Sequence, residues 1–132
     1  MANRSRDWFL QAERDLEQAK ASQAGDRHEW ACFAAQQSAE KAVKALHLHL
    51  GQEAWGHVVA RLLHDLPLSV PGDLVEKGKV LDNFYIPTRY ANSHPQGPPF
   101  EHYGPLQSEE AILYAGEILD FVSAQMAERR DR

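Results

Sequence analysis

Apolar residues recur every three or four positions along most of the chain, which is the spacing that one face of an α-helix produces. This pattern predicts helices over residues 5–23, 27–50, 57–66 and 73–84, and a last helix from residue 108 onward. Gly25, Gly51 and Pro67 stand where the first three helices should end. No stretch shows the alternation of a half-buried strand. The pattern therefore predicts an all-α protein, an up-and-down bundle of four or five helices in a single domain over residues 1–132.

Local signals predict how three of these helices begin. Asp26 is a plausible cap for the second helix, with Glu29 three residues later as the partner of a capping box. Pro71 occupies a plausible first helical position of the fourth helix, where its missing N–H costs nothing. Ser108 is predicted to cap the last helix, and Glu109 in the first turn favours the positive end of the helix dipole.

The second predicted helix is the longest uninterrupted one, and it is rich in alanine. Its small side chains would let another helix approach closely, and its long apolar surface makes it a natural element for a dimer. Trp8, Trp30 and Trp55 are expected to be core or interface anchors rather than a platform for stacking bases. The predicted apolar face comprises Trp30, Phe33, Ala34, Gln37, Ala42, Ala45, Leu46 and Leu50.

Residues 86–106 differ from the rest because proline and glycine recur in them, so no helix is expected to run through. A long proline-rich loop before the last helix is unusual in a compact domain, and such loops often carry function. Arg89 and His94 are the candidate catalytic residues there. The candidate substrate-binding residues are Lys79, Tyr85, Thr88, Tyr90, Asn92, His102 and Tyr103.

An arginine and a histidine together suit cleavage of an RNA strand without a metal. Arginine presents a planar fork of donors to phosphate oxygens, and histidine transfers protons near neutral pH. Two copies of Arg89 and His94, brought together across a dimer, would supply enough groups for the reaction. The spacing alone does not decide this, because Arg89 could instead pair with a carboxylate such as Asp82, leaving His94 as a solvated loop residue.

Charge and composition narrow the possible functions. The net charge of −5 does not favour broad nucleic-acid binding, so any phosphate contact must come from a local cluster. The histidines match no zinc pattern, and no metal or cofactor is expected. The one cysteine, Cys32, is interpreted as an inert core residue. No apolar run reaches the roughly 18 residues of a membrane helix, and the charged N-terminus has no signal core, which predicts a cytoplasmic protein away from membranes.

Three blocks in order resemble one family. WACFAAQQSAEKAVKALHLHLG at 30–51 resembles the second helix of the HEPN domain family. LDNFYIPTRYANSHP at 81–95 resembles the segment with that family's Arg-x(4–6)-His motif, and DWFLQAERDLEQAK at 7–20 resembles its first helix. The resemblance implies a helical bundle, usually a homodimer. Many members are metal-independent endoribonucleases, often toxins of toxin–antitoxin systems. On that pattern Arg89 would bind the scissile phosphate and His94 would transfer a proton.

The resemblance also leaves a second hypothesis open. Small stand-alone members are frequently encoded beside a minimal nucleotidyltransferase, which can act as the antitoxin by modifying a tyrosine. The chain could therefore be a non-catalytic nucleotide-binding protein or a partner subunit of a nucleotidyltransferase. The acidic net charge favours this, as does Tyr90, which stands where active nucleases commonly carry a small polar residue. Gln96 stands where the modified tyrosine lies in other members. A third hypothesis is a structural helical dimer without a ligand.

Overall fold

A computed structural model describes residues 3–129, which form a bundle of α-helices with no strand among them. The predicted all-α fold is therefore confirmed. Two short 3-10 helices, Ala91–Ser93 and Pro99–His102, lie between the last two α-helices, in the segment predicted to be a loop. The α-helices are α1 (Ser5–Ala24), α2 (His28–His49), α3 (Val59–His64), α4 (Gly72–Asp82) and α5 (Pro105–Arg129).

Helix α2 forms the centre of the bundle, with α1 and α5 packed along its length. The hydroxyl of Ser38 donates a hydrogen bond of 2.6 Å to the carbonyl of Ala12 in α1, and both residues are fully buried. Such a contact between a side chain and a neighbouring helix backbone requires close approach, which the small side chains of α2 permit. The largest fully buried apolar side chains are Leu46, Leu63, Leu81 and Ile118.

Helices α3 and α4 are short and are held together at two points. The Asp82 carboxylate, at the end of α4, accepts hydrogen bonds from the N–H groups of Val59 (2.6 Å) and Ala60 (3.2 Å), which begin α3. A Cβ atom at Gly78 would lie 3.1 Å from the backbone nitrogen of Ala60, so the two helices approach closely there. Asp82 therefore caps α3 from another helix.

The three predicted helix starts are wrong in detail. Asp26 makes no cap: it adopts a φ of 62° and its carboxylate contacts His28 Nε2 at 2.8 Å. Ser108 lies inside α5, which begins at Pro105, and its hydroxyl is buried against His28 and Gln23. Pro71 precedes α4, which begins one residue later. In the first two cases the side chain expected to cap a helix is engaged by buried His28 instead.

The three tryptophans lie outside the core. Trp8, Trp30 and Trp55 are 37%, 50% and 82% exposed, so their interpretation as core anchors is wrong, and that as interface anchors stays a prediction. Within the predicted apolar face of α2, Trp30 is exposed and Phe33 is half-buried, whereas Ala34, Ala42 and Leu46 are buried. Over residues 3–129 no helix combines the length and the apolar character that crossing a bilayer requires.

Candidate functional site

The guanidinium of Arg89 is held among aromatic rings. Its central carbon lies 4.3 Å from the ring centre of Phe33, 4.9 Å from that of Tyr85 and 5.2 Å from that of Tyr90. Nε and Nη2 both donate to the carbonyl oxygen of Tyr85, at 3.0 and 2.8 Å. Nη1 has no hydrogen-bond acceptor among the described residues. Arg89 is thus fixed in orientation with part of its donor fork unused, as anion binding requires.

Arg89 does not pair with Asp82. The Asp82 carboxylate binds the first two N–H groups of α3, and the Arg89 donors go to a backbone carbonyl. The interpretation in which these two residues form an ion pair is therefore wrong. The reason is local: Asp82 lies at the end of α4, where its carboxylate meets the start of α3.

His94 is anchored through one ring nitrogen. Its Nε2 donates to the carbonyl oxygen of Pro87 at 2.7 Å, and its ring stacks on that of His102 with centres 4.2 Å apart and planes within 6°. The ring of Tyr103 meets it edge-on at 5.8 Å. Because a carbonyl only accepts, Nε2 must carry the hydrogen, and the tautomer is set. Nδ1, with no partner within residues 3–129, is left for proton exchange. His94 is therefore not a freely solvated residue.

The neighbours of His94 also contact the backbone and the bundle. His102 Nε2 donates to the carbonyl of Gln96. Tyr103 packs edge-on against Phe84 at 6.0 Å, and burial raises the pKa of its hydroxyl. Predicted binding residues thus surround each of the two candidate groups: Tyr85 and Tyr90 lie at Arg89, and His102 and Tyr103 lie at His94. No hydrogen bond or ring contact joins the two groups directly in the described part of the chain.

Three other predicted residues lie apart from these contacts. Thr88 is buried, and its hydroxyl donates to the carbonyl of Phe84 at 2.8 Å. Lys79, exposed on α4, pairs with Glu76 at 2.6 Å. Asn92 is exposed, and its side chain makes no hydrogen bond to any described residue. The structure gives none of the three a contact with Arg89 or His94.

Sequence reasoning missed Phe33, Glu40 and His57. Phe33 belongs to the predicted apolar face of α2, yet its ring contacts the Arg89 guanidinium. His57 stacks on Tyr85, the ring that Arg89 also contacts, with centres 4.7 Å apart. Glu40 is buried in α2 and binds the His57 ring. These contacts join segments far apart in sequence, so no spacing could indicate them.

A groove opens on the side of α2 that carries Phe33. It has a volume of about 510 Å³ and lies between α1 and α2, with Arg27, Trp30, Phe33, Gln37 and Lys41 on its walls. Phe33 is common to this groove and to the Arg89 contacts, although Arg89 itself does not line the groove. The buried thiol of Cys32 does not line this groove. Burial and the charge of Glu29 raise the pKa of Cys32 to about 12, as expected of an inert thiol.

The fold and the site define a class: an all-helical bundle whose arginine and histidine lie in the segment that precedes the last helix. The HEPN domain model matches residues 5–126, and the chain belongs to the HEPN domain family. The expected resemblance is therefore confirmed. Among proteins with curated descriptions, none matches the sequence.

Three solved structures share both fold and sequence with this chain. TT1696 from Thermus thermophilus is 54% identical with a TM-score of 0.91, over 93% of this chain and 98% of that one. ST0689, an archaeal HEPN homologue, is 40% identical with a TM-score of 0.82, over 95% and 99%. An HEPN domain protein from Thermotoga maritima, tm0613, is 32% identical with a TM-score of 0.75, over 92% and 98%.

Proposed function

We propose that this protein is a metal-independent endoribonuclease that acts as a homodimer, the toxin-like component of a toxin–antitoxin pair. The observation that carries the proposal is the anchoring of His94. The Pro87 carbonyl fixes the hydrogen on Nε2 and leaves Nδ1 for proton transfer, in a segment that also holds a half-buried arginine with unused donors. We propose further that its antitoxin is a nucleotidyltransferase partner.

The reaction needs no group beyond those of the protein and the RNA. The 2′-oxygen loses its proton and bonds to the phosphorus, the bond to the 5′-oxygen breaks, and a 2′,3′-cyclic phosphate results. Arg89 stabilises the charge on the pentacoordinate phosphorus. One histidine takes the proton of the 2′-oxygen, and His94, protonated at Nδ1, gives the Nδ1 proton to the departing 5′-oxygen. The aromatic rings around Arg89 hold the guanidinium in place before the substrate arrives, which lowers the cost of ordering it.

The exposed aromatic residues beside Arg89 support a dimer. Trp30 and Tyr90 are about half exposed in one protomer; Trp30 packs edge-on against Phe33, and Tyr90 contacts the Arg89 guanidinium. Aromatic residues of this kind are enriched in the centres of protein interfaces. A second copy seated there would bring two arginines and two histidines to one cleft. Sedimentation analysis is expected to give twice the mass of the chain.

The test is cleavage of a labelled RNA by the wild-type protein in the presence of EDTA. We expect products ending in a 2′,3′-cyclic phosphate, identified by mass spectrometry. His94→Ala and Arg89→Ala are each expected to lower the rate by about 100-fold or more, the usual contribution of a positioned proton donor or charge stabiliser. His64→Ala and Arg61→Ala are matched controls, because both residues are exposed on α3 and pair with Asp65.

Two results would contradict the proposal: cleavage that survives both substitutions in a folded dimer, or no cleavage by the wild-type protein. The second would favour the other candidate function, a non-catalytic nucleotide-binding protein or partner subunit of a nucleotidyltransferase. One observation supports that candidate: the Tyr85 carbonyl engages two Arg89 nitrogens and Tyr90 covers the guanidinium. It predicts binding of a nucleotide or of the nucleotidyltransferase without RNA turnover.

A further inference from the structure

A buried carboxylate lies in the middle of α2. The Glu40 side chain is only 5% exposed and is surrounded by partners. Lys44 Nζ contacts Oε2 at 3.1 Å, and the Gln36 side chain donates to Oε1 at 3.3 Å. The third partner is His57, whose Nδ1 lies 3.1 Å from Oε1. Burying a charge is costly unless it is paired, and Lys44 supplies that pairing from one turn away on the same helix.

His57 is held firmly for a residue so exposed. Its side chain is 54% exposed, yet Nδ1 is bound by Glu40 and its own carbonyl accepts a hydrogen bond of 3.1 Å from Gln36. Its ring lies on the Tyr85 ring with planes within 18°. Since a carboxylate accepts, Nδ1 carries the hydrogen and Nε2 is the nitrogen without a partner among the described residues. Fixing an exposed side chain in one orientation costs conformational entropy, and a histidine that merely faced solvent would not lose that entropy.

The Tyr85 ring connects His57 to the arginine. The His57 ring centre and the Arg89 guanidinium carbon each lie within 5 Å of its centre, at 4.7 and 4.9 Å. The carbonyl of the same residue anchors the guanidinium. The imidazole with the open nitrogen and the group proposed to bind phosphate therefore both pack on the Tyr85 ring. A buried carboxylate that orients an imidazole through Nδ1, leaving Nε2 to act, is the arrangement used by catalytic histidines in hydrolases.

We propose that His57 is a second proton-transfer residue of the Arg89 site and that Glu40 positions it. The inference rests on the proposed ribonuclease function. His57 Nε2 takes the proton of the 2′-hydroxyl as the 2′-oxygen bonds to phosphorus. The bond from phosphorus to the 5′-oxygen breaks, and that oxygen takes a proton from His94 of either copy. The Glu40 carboxylate keeps the His57 tautomer fixed throughout and does not itself accept the proton.

Charged groups lie near His57 on several elements of the fold. Glu40 and Lys44 face it from α2, Arg89 lies across Tyr85, and the Asp82 carboxylate of α4 binds the two residues that begin α3. His64 offers a matched control. It is a histidine with a carboxylate neighbour, Asp65, but its side chain is 79% exposed and no ring within residues 3–129 packs on it.

The experiment measures the rate of RNA cleavage against pH for the wild type and for His57→Ala, Glu40→Gln and His64→Ala. His57→Ala is expected to lower the maximal rate by about 100-fold, the size of a general-base contribution, and to remove the rise in rate with pH on the acidic side. Glu40→Gln is expected to lower the maximal rate less and to leave the KM for RNA unchanged, because it orients the base rather than binding substrate. His64→Ala is expected to match the wild type.

A binding measurement keeps the inference testable even where a variant folds poorly. A 2′-O-methyl oligonucleotide, which cannot be cleaved, is expected to shift the imidazole ¹⁵N resonances of His57 in the wild-type protein and to leave those of His64 in place. Wild-type cleavage with unchanged activity and pH profile in His57→Ala would overturn the inference and leave the proposed function intact. Absence of cleavage by the wild type would overturn both, and the two failures are therefore distinguishable.

Discussion

Histidines in two regions of this molecule use their ring nitrogens differently. In the bundle, His28 and His47 are buried and both nitrogens of each are bonded. His28 contacts the Ser108 hydroxyl and the Asp26 carboxylate, each at 2.8 Å. His47 donates to the carbonyl of Leu62 at 2.8 Å and contacts the Gln52 side chain at 3.2 Å.

In the candidate site, His57 and His94 are partly exposed, and each has one bonded nitrogen among residues 3–129. A buried polar group with all its partners contributes to the stability of the fold, since removing one partner leaves the others unsatisfied. An imidazole fixed at one nitrogen and open at the other is prepared for proton exchange. The same residue type thus has both nitrogens bonded in one region and keeps one nitrogen open in the other, where we propose that it transfers protons.

The largest expected effect is on the rate at which the buried thiol of Cys32 is alkylated. Burial, together with the charge of Glu29, raises the pKa of Cys32 from its ordinary 9.0 to about 12, which lowers its thiolate fraction near pH 8 by roughly 1,000-fold. We therefore expect iodoacetamide to modify the folded protein at least that much more slowly than the protein in 8 M urea, as measured by mass spectrometry. Equal rates in the two conditions would show that a reactive group does survive inside the bundle.

Loss of a bundle histidine is the next largest effect. His47→Ala leaves the Leu62 carbonyl without its donor in a buried place, and we expect the free energy of unfolding to fall by about 1–3 kcal/mol. Cleavage per folded molecule should not change. His64→Ala is the control and should alter the unfolding free energy by no more than about 0.5 kcal/mol. Urea unfolding followed by circular dichroism measures both. If the two variants were equally stable, the proposed difference between the regions would be lost.

Most of the fold could be predicted because helical periodicity is a local property of the sequence. The long α2 helix contains neither glycine nor proline, and the α1 and α4 boundaries lie within two residues of the predicted ones. The predicted start of the last helix failed because its expected capping residue makes a tertiary contact instead. Ser108 illustrates this: its hydroxyl is engaged by His28, some eighty residues earlier in the chain, and α5 starts ahead of it at Pro105.

The candidate site was predicted in part. Residue types in the proline-rich segment select Arg89, His94 and Tyr103 as candidates, and Tyr85 stands directly before that segment. Which groups lie next to them depends on packing between distant segments. Phe33 under the guanidinium and Glu40 behind His57 come from α2, and neither has a feature in the sequence that separates it from an ordinary core or surface residue.

The smallest expected effect is on the pH dependence of the unfolding free energy, and it comes from Asp82, which connects the two regions. Asp82 ends α4, caps α3 through Val59 and Ala60, and so fixes the backbone that follows His57. Burial raises the pKa of Asp82 above its ordinary 3.8, the two N–H groups oppose this, and the charge of Glu40 adds to the rise. The folded protein therefore holds this proton to a higher pH than the unfolded chain does.

The contribution of Asp82 to stability depends on pH. Because the folded state binds more protons than the unfolded state above pH 3.8, the contribution of Asp82 to the free energy of unfolding should fall as the pH rises through its elevated pKa. Asp82→Asn keeps an acceptor oxygen for one N–H group but cannot titrate. The difference in unfolding free energy between wild type and Asp82→Asn, measured in urea from pH 3 to pH 7, should therefore decline with pH. A difference that rises with pH would mean that the two N–H groups outweigh burial, and that Asp82 belongs with the fully satisfied groups of the bundle.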